Sequence, residues 1–216
     1  MDEQIRREFR FLPWKLILAT LALFDKISIV FVNLRIHPNT LTYLGFAAGV
    51  GVGLAYFLEK PAWALAAILL CGVSDILDGK IAAHSNSKSL FGAILDSSFD
   101  RYTEFFMYTG LAYHFRTHWV IWVIFAAFLG STMVSYTRAR AEGLGIDCRV
   151  GIMQRAERLV LLFAGNFLGL IFHVFDPAMI AVMIVIAVAS NVTAVQRIAY
   201  VRTCEKGRQA QKRNTD

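Results

Sequence analysis

Pro38–Leu58 runs for 21 residues without a charged side chain, and Thr117–Thr137 runs for another 21. A helix needs roughly 20 apolar residues to cross the hydrocarbon of a bilayer. Backbone N–H and C=O groups in hydrocarbon find no water, so runs of this kind must be helical. Four more segments have the same character. Pro61–Ser74 is apolar and continues into Asp75 and Asp78, and Gly92–Phe115 carries Asp96, Asp100, Arg101 and Glu104. Leu159–Phe175 and Pro177–Gln196 complete the set. With 56% hydrophobic residues, the chain has the composition of a membrane protein. The charges in the second and third segments are expected to make them fail a strict hydropathy criterion.

The expected fold is therefore all-α: a polytopic membrane protein of six transmembrane helices preceded by an N-terminal interfacial amphipathic helix. Trp14–Arg35 is apolar but carries Asp25-Lys26 at its centre. A seventh span would bury both charges, whereas a helix lying in the interface leaves them wet. Residues 1–35 read as a cytoplasmic or interfacial segment, 36–201 as one membrane domain, and 202–216 as a polar tail. The charged start Met1-Asp-Glu-Gln is not expected to be a signal peptide.

Six spans put both termini on one side. Of the 22 Lys and Arg residues, 20 then fall on that side, and only Lys60 and Arg116 fall opposite. The positive-inside rule makes that side the cytoplasm, and the cell membrane is the expected location. The net charge of +6 suits anionic lipids and anionic substrates. The basic residues flank spans, so nucleic acid is not an expected partner. Cys71, Cys148 and Cys204 have no metal-ligand spacing.

Within this apolar frame lie Asp75, Asp78, Asp96 and Asp100. Carboxylates at membrane depth need compensation. On a helix, Asp75 and Asp78 share a face, as do Asp96 and Asp100. The stretch His84-Ser-Asn-Ser-Lys-Ser89 reads as a turn between them. Two antiparallel helices then aim two carboxylate pairs at each other, and divalent cations take such oxygen ligands. Two ions about 4 Å apart can clamp a diphosphate. Gly79 and Gly92 leave room beside the acids. Acids in a membrane also mark ion pathways, so a divalent-cation or proton transporter is the alternative from another class.

The order Asp75-x2-Asp78-Gly79-x2-Ala82, then Gly92-x3-Asp96-x3-Asp100, resembles the signature of the CDP-alcohol phosphatidyltransferases. That resemblance implies transfer of a phosphatidyl group from CDP-diacylglycerol or a related CDP-lipid to a polar alcohol, with release of CMP, at the cytoplasmic face of a homodimer. It implies two Mg2+ ions, with Mn2+ as an alternative, held by Asp75, Asp78, Asp96 and Asp100. It makes Asp100 the catalytic base as well. Asn39, Thr42, Gly79 and Ser89 correspond to positions facing the CDP-lipid. The family arginine after Ala82 is replaced by Ala83, with Lys80 and His84 as candidate substitutes. Arg138, Arg155 and Arg197 resemble the basic residues that hold the acceptor's phosphate in the subgroup using inositol phosphate. An arginine fork suits phosphate oxygens. Inositol phosphate is the leading acceptor, with glycerol phosphate or another polar alcohol as the alternative.

Overall fold

The structure is a computed structural model that describes residues 14–85, 87 and 89–213, with side chains described between 22 and 206. The expected N-terminal segment before Trp14, the tail beyond Arg213, and Asn86 and Lys88 of the turn lie outside the described residues. Every described element is helical. They are α1 (Trp14–Asn33), α2 (Pro38–Phe57), α3 (Pro61–His84), α4 (Leu90–His114), α5 (Val120–Gly143), α6 (Arg155–Ile171) and α7 (Phe175–Arg213).

Local chemistry sets the boundaries. Pro38 and Pro61 each stand in the first turn of their helices, where a missing N–H costs nothing. His37 caps α2, its Nδ1 accepting from the Asn39 N–H at 3.2 Å. Ser89 caps α4, its hydroxyl accepting from the Gly92 N–H at 2.9 Å. Four helices end in one device, a residue with left-handed backbone followed by a return hydrogen bond. Arg35, Glu59 and His173 have φ near +55°, and Gly145 has φ +73°. The next N–H in each case reaches back to Phe31, Ala55, Gly169 or Ala141 at 2.8–3.1 Å. This closes carbonyls that the helix end would leave open.

α2, α3, α5 and α7 are long and apolar enough to cross a membrane. The expectation that α3 would be too polar is not met. Its acids lie in its C-terminal half, after the uncharged run Pro61–Ser74. α4 carries four charges between Asp96 and Glu104, and α6 has only 17 residues, so neither reaches the same standard. Large apolar side chains face outward, Trp63 at 72% and Trp122 at 74% exposure among them. On a soluble protein such a surface would aggregate, but it suits a lipid-facing one.

α2 packs against both α3 and α4, α5 against α7, and α6 against α3 and α7, while α1 lies along α3. Glycines at a spacing of four let α2 approach so closely. A side chain on Gly45 would meet Ser74, one on Gly49 would overlap Thr103, and one on Gly53 would overlap Phe106. Gly53 and Gly110 touch backbone to backbone. Small residues of this kind set helix association in membranes. Gly110→Ala should therefore lower stability by about 1–3 kcal/mol, as overpacking does. Gly79→Ala, which meets nothing within 4 Å, should stay within about 1 kcal/mol of the parent. Thermal unfolding of the detergent-solubilised chain, followed by intrinsic fluorescence, compares the two.

Candidate active site

α3 and α4 both pack against α2, and side chains from the last turns of α3 and the first turns of α4 converge at one end of the bundle. Asp75 and Asp78 come from the first helix, Asp96 and Asp100 from the second. The expected convergence is present. One carboxylate oxygen from each of Asp75, Asp96 and Asp100 lies within 4.8 Å of the others. Asp78 stands beside them, buried, and accepts from the Thr42 hydroxyl at 2.8 Å. All four line a cleft of about 230 Å³, open mouth included, together with Thr42 and Arg155. Hard carboxylate oxygens without nitrogen or sulfur suit Mg2+ or Mn2+ rather than softer metals. The donor set therefore fits the implied cations.

Of the residues expected to face the CDP-lipid, Thr42 lines this cleft, and Asn39, Gly79 and Ser89 are not among its lining residues. Gly79 is exposed, with open space around its Cα. Asn39 Oδ1 and Ser89 Oγ both stand close to the Cα of Gly92, where an added methyl would sit 3.4 and 3.0 Å from them. Thr42 faces Asp78. Ser89 and Thr42 thus have structural work of their own, as helix cap and as carboxylate donor.

The candidate substitutes for the family arginine are both engaged with α1. Lys80 forms an ion pair with Asp25. His84 Nδ1 and the Ser28 hydroxyl are 3.0 Å apart. Ala83 itself is exposed.

The three arginines expected to hold the acceptor's phosphate lie at the same end of the bundle but in different settings. Arg155, the first residue of α6, reaches into the acidic cluster. Its Nη1 lies 2.5 Å from Asp75 Oδ1 and its Nη2 lies 2.7 Å from Asp100 Oδ1. Arg197 is 2% exposed. Its Nε donates to the Val150 carbonyl at 2.9 Å, and its Nη1 donates to the Val134 carbonyl. Arg138 pairs with Glu142 at 2.8 Å.

Other residues of the site gave no sequence signal. Glu104 and Arg158, 6% and 1% exposed, pair at 2.5 Å. Arg101 joins them, 3.2 Å from Glu104 and 3.5 Å from Asp100, and also bonds Ser135. This network backs the carboxylates from below. The loop before α6 is fastened by Thr193 of α7, whose hydroxyl accepts from the N–H groups of Ile152 and Met153 at 3.2 and 3.0 Å. Gly151, at φ +121°, lets the loop touch Thr193, and any side chain there would collide with it. At the start of α6, Glu157 accepts from the Gln154 N–H at 3.0 Å. These contacts fix where Arg155 begins.

A bundle of apolar helices with an acidic, arginine-lined cleft at one end defines a membrane protein that handles charged ligands. The family model of the CDP-alcohol phosphatidyltransferases matches residues 35–198. Archaetidylinositol phosphate synthase from Methanothermobacter thermautotrophicus is 34% identical over 169 residues, 78% of this chain and 85% of that protein. Phosphatidylinositol phosphate synthase from Mycobacteroides abscessus is 34% identical over 171 residues, 77% of each chain. The crystal structure of Mycobacterium tuberculosis phosphatidylinositol phosphate synthase with CDP-DAG bound superposes with a TM-score of 0.74 and 28% identity, over 83% of this chain and 94% of that one. The same enzyme in complex with manganese and citrate gives 0.73 and 27%, over 83% and 89%. The chain belongs to the CDP-alcohol phosphatidyltransferase family and is an integral membrane enzyme of that class. The transporter alternative falls with that assignment.

The Glu104–Arg158 pair generates its own test. Removing one partner strands a buried charge, a loss of about 3–5 kcal/mol. Glu104→Ala should thus unfold at markedly lower temperature than the parent in detergent, while Glu142→Ala, on the exposed Arg138 pair, should lose no more than about 1 kcal/mol. Both are read from thermal unfolding curves.

Proposed function

We propose that this enzyme transfers the phosphatidyl group of CDP-diacylglycerol, or of a related CDP-lipid, to inositol phosphate. The observation that carries the reading is the meeting, at one end of the bundle, of the aspartate cluster with Arg155, while Arg138 and Arg197 lie at that same end. The acceptor's hydroxyl oxygen bonds to the phosphorus that bears the lipid, the bond from that phosphorus to the CMP oxygen breaks, and CMP leaves. The relatives named for inositol phosphate products support this acceptor over glycerol phosphate.

Each residue has a task in that reaction. Asp75, Asp78, Asp96 and Asp100 would hold two Mg2+ ions, or Mn2+ in their place. Bound cations supply charge for the diphosphate and for the attacking and leaving oxygens. Thr42 orients Asp78 through its hydroxyl. Asp100 receives the acceptor's proton. The Asn39, Gly79 and Ser89 positions form the cytidine-diphosphate side of the cleft, where a missing Cβ at Gly79 lets the ligand approach the backbone. Arg138, Arg155 and Arg197 hold the acceptor's phosphate. A guanidinium has five N–H donors, so Arg197 keeps donors for a phosphate beside the two given to carbonyls.

The membrane arrangement follows the charge pattern. α2 to α7 form the six spans of the domain 36–201, with α1 in the interface as part of 1–35 and the polar tail 202–216 beyond. The cleft faces the cytoplasm, the lipid tails remain in the bilayer of the cell membrane, and the enzyme works as a homodimer.

The decisive assay incubates the purified chain with CDP-diacylglycerol, Mg2+ and a panel of inositol phosphate, free inositol and glycerol phosphate, with products identified by mass. Inositol phosphate should give the lipid product and CMP, and Asp96→Asn should give neither. Preference for free inositol or glycerol phosphate would remove the proposed acceptor. Near-normal CMP release from Asp96→Asn would remove the proposed metal ligation.

Ala83 offers a second measurement. Its neighbours Lys80 and His84 are held by α1, and the position is open to the outside. An arginine there should gain a charge-assisted contact with the CDP-lipid diphosphate worth about 1.5–3 kcal/mol. Ala83→Arg should lower the apparent KM for CDP-diacylglycerol and leave that for the acceptor unchanged. An unchanged or higher KM for the lipid would mean that the diphosphate does not pass this position.

A further inference from the structure

Arg155 takes carboxylate oxygens from two of the three aspartates that converge. Its two terminal nitrogens address Asp75 Oδ1 and Asp100 Oδ1 separately, at 2.5 and 2.7 Å. The side chain is 18% exposed, so the contact is partly shielded from water. A divalent cation coordinated by the same cluster would sit against the guanidinium, and positive charges at contact distance repel strongly where water is scarce. Guanidinium and cation therefore compete for one set of oxygens. The backbone of Arg155 cannot yield. Thr193 holds the N–H groups of Ile152 and Met153, and Glu157 holds that of Gln154. Only the side chain can swing. At the same end of the bundle lie Arg138 and Arg197, close enough for each charge to act on the other.

We propose that Arg155 is an internal counter-ion of the acidic site that a divalent cation displaces, and that the displaced guanidinium is the one that receives the acceptor's phosphate. Cation and phosphate then bind with positive coupling through a single side chain. The coupling is reciprocal, as any linkage between two binding equilibria must be. A phosphate that holds Arg155 away from Asp75 and Asp100 strengthens cation binding by the same factor by which the cation strengthens phosphate binding. The inference rests on the proposed roles of the aspartates and of Arg155. It adds that Arg155 cannot pair with Asp75 and Asp100 and hold the acceptor's phosphate at once, so each ligand favours binding of the other. A second cavity gives the displaced side chain a rival berth, since Arg155 also lines a space bounded by Glu104, Tyr108 and Arg158.

The test measures Mn2+ binding directly, by electron paramagnetic resonance of the free ion, on the full chain in detergent. The variants are Arg155→Ala, Arg155→Gln and, as a surface control, Arg149→Ala. Each is titrated with and without sulfate as a tetrahedral oxyanion. Without sulfate, loss of the competing guanidinium should tighten Mn2+ binding roughly ten- to hundred-fold in both Arg155 variants, since one or two charge-assisted contacts are released. Arg149→Ala should match the parent. Sulfate should tighten Mn2+ binding to the parent and to Arg149→Ala, but not to the Arg155 variants. Equal or weaker Mn2+ binding in the two folded Arg155 variants would overturn the counter-ion role. Tighter Mn2+ binding with no sulfate effect in the parent would overturn the coupling and send the side chain to the Glu104 cavity. Failure of the underlying reading looks different: the parent would then bind no Mn2+, or Asp96→Asn would bind it equally well.

Discussion

A carboxylate below the membrane surface must be compensated, and most of this site follows from how that is done. Asp75 and Asp100 are met by Arg155, Asp78 by the Thr42 hydroxyl, and Glu104 by Arg158 and Arg101. Removing water raises the cost of every unpaired charge and the strength of every pair together. The site can therefore be strongly polar only because α2, α4 and α6 each bring a partner to the acids of α3 and α4. The same condition explains why Arg158 is almost wholly buried although it touches no substrate-facing residue. It pairs with Glu104 beneath the cluster, and Glu104 in turn holds Arg101 beside Asp100.

Precision at the cleft depends on backbone contacts that carry no charge. The glycines of α2 bring that helix close to α4 at Thr103 and Phe106 and close to α3 at Ser74, one turn from where Thr42 meets Asp78. The 144–154 loop could wander, yet Thr193 and Arg197 fasten three of its backbone groups to α7. α7 thereby sets the origin of Arg155, although among the described residues no side chain of α7 pairs with the aspartates. A long apolar helix thus acts as a ruler for a polar site. Small shifts in its packing against α5 or α6 would reach the acids through the start of α6.

Much of this was legible in the sequence, because the physics was local. Uncharged runs, Pro38 and Pro61 at helix starts, and the polar stretch 84–89 mark the elements closely. Aspartates three and four residues apart mark a shared helix face. What stayed hidden depended on how helices rotate against one another. Arg155 lies 80 residues from Asp75, and nothing in its own neighbourhood says that it points there. α2 has almost no polar face to fix its rotation, so the Thr42–Asp78 bond could not be anticipated. Arg35, Glu59 and His173 close helices in the left-handed conformation that glycine usually supplies, and so left no mark. His37 caps α2, a role that its place in the sequence does not announce. α3 meets the hydropathy criterion it is expected to fail because its acids lie together in its C-terminal half, after an uncharged run long enough to set the average.

The departure at Ala83 gains meaning from α1. In the sequence, Lys80 and His84 flank a missing arginine and stand ready to replace it. In the fold, each is turned toward α1, Lys80 to Asp25 and His84 to Ser28. One turn of α1 thus contacts the last turn of α3, immediately after Asp78-Gly79. A cation lent to the diphosphate by Lys80 would leave Asp25 unpaired on a helix that lies against the bilayer or within it. The two demands oppose each other, and the ion pair favours keeping Lys80 where it is. The cytidine-diphosphate side of the cleft is then, on the proposed reading, poorer in positive charge than the family pattern implies, and the acceptor side, with Arg138, Arg155 and Arg197, is richer. On the proposed reading, bound cations carry more of the diphosphate's charge here than where the arginine is present. Whatever controls their access to Asp75 and Asp100, Arg155 first of all, then has a larger share in controlling the enzyme.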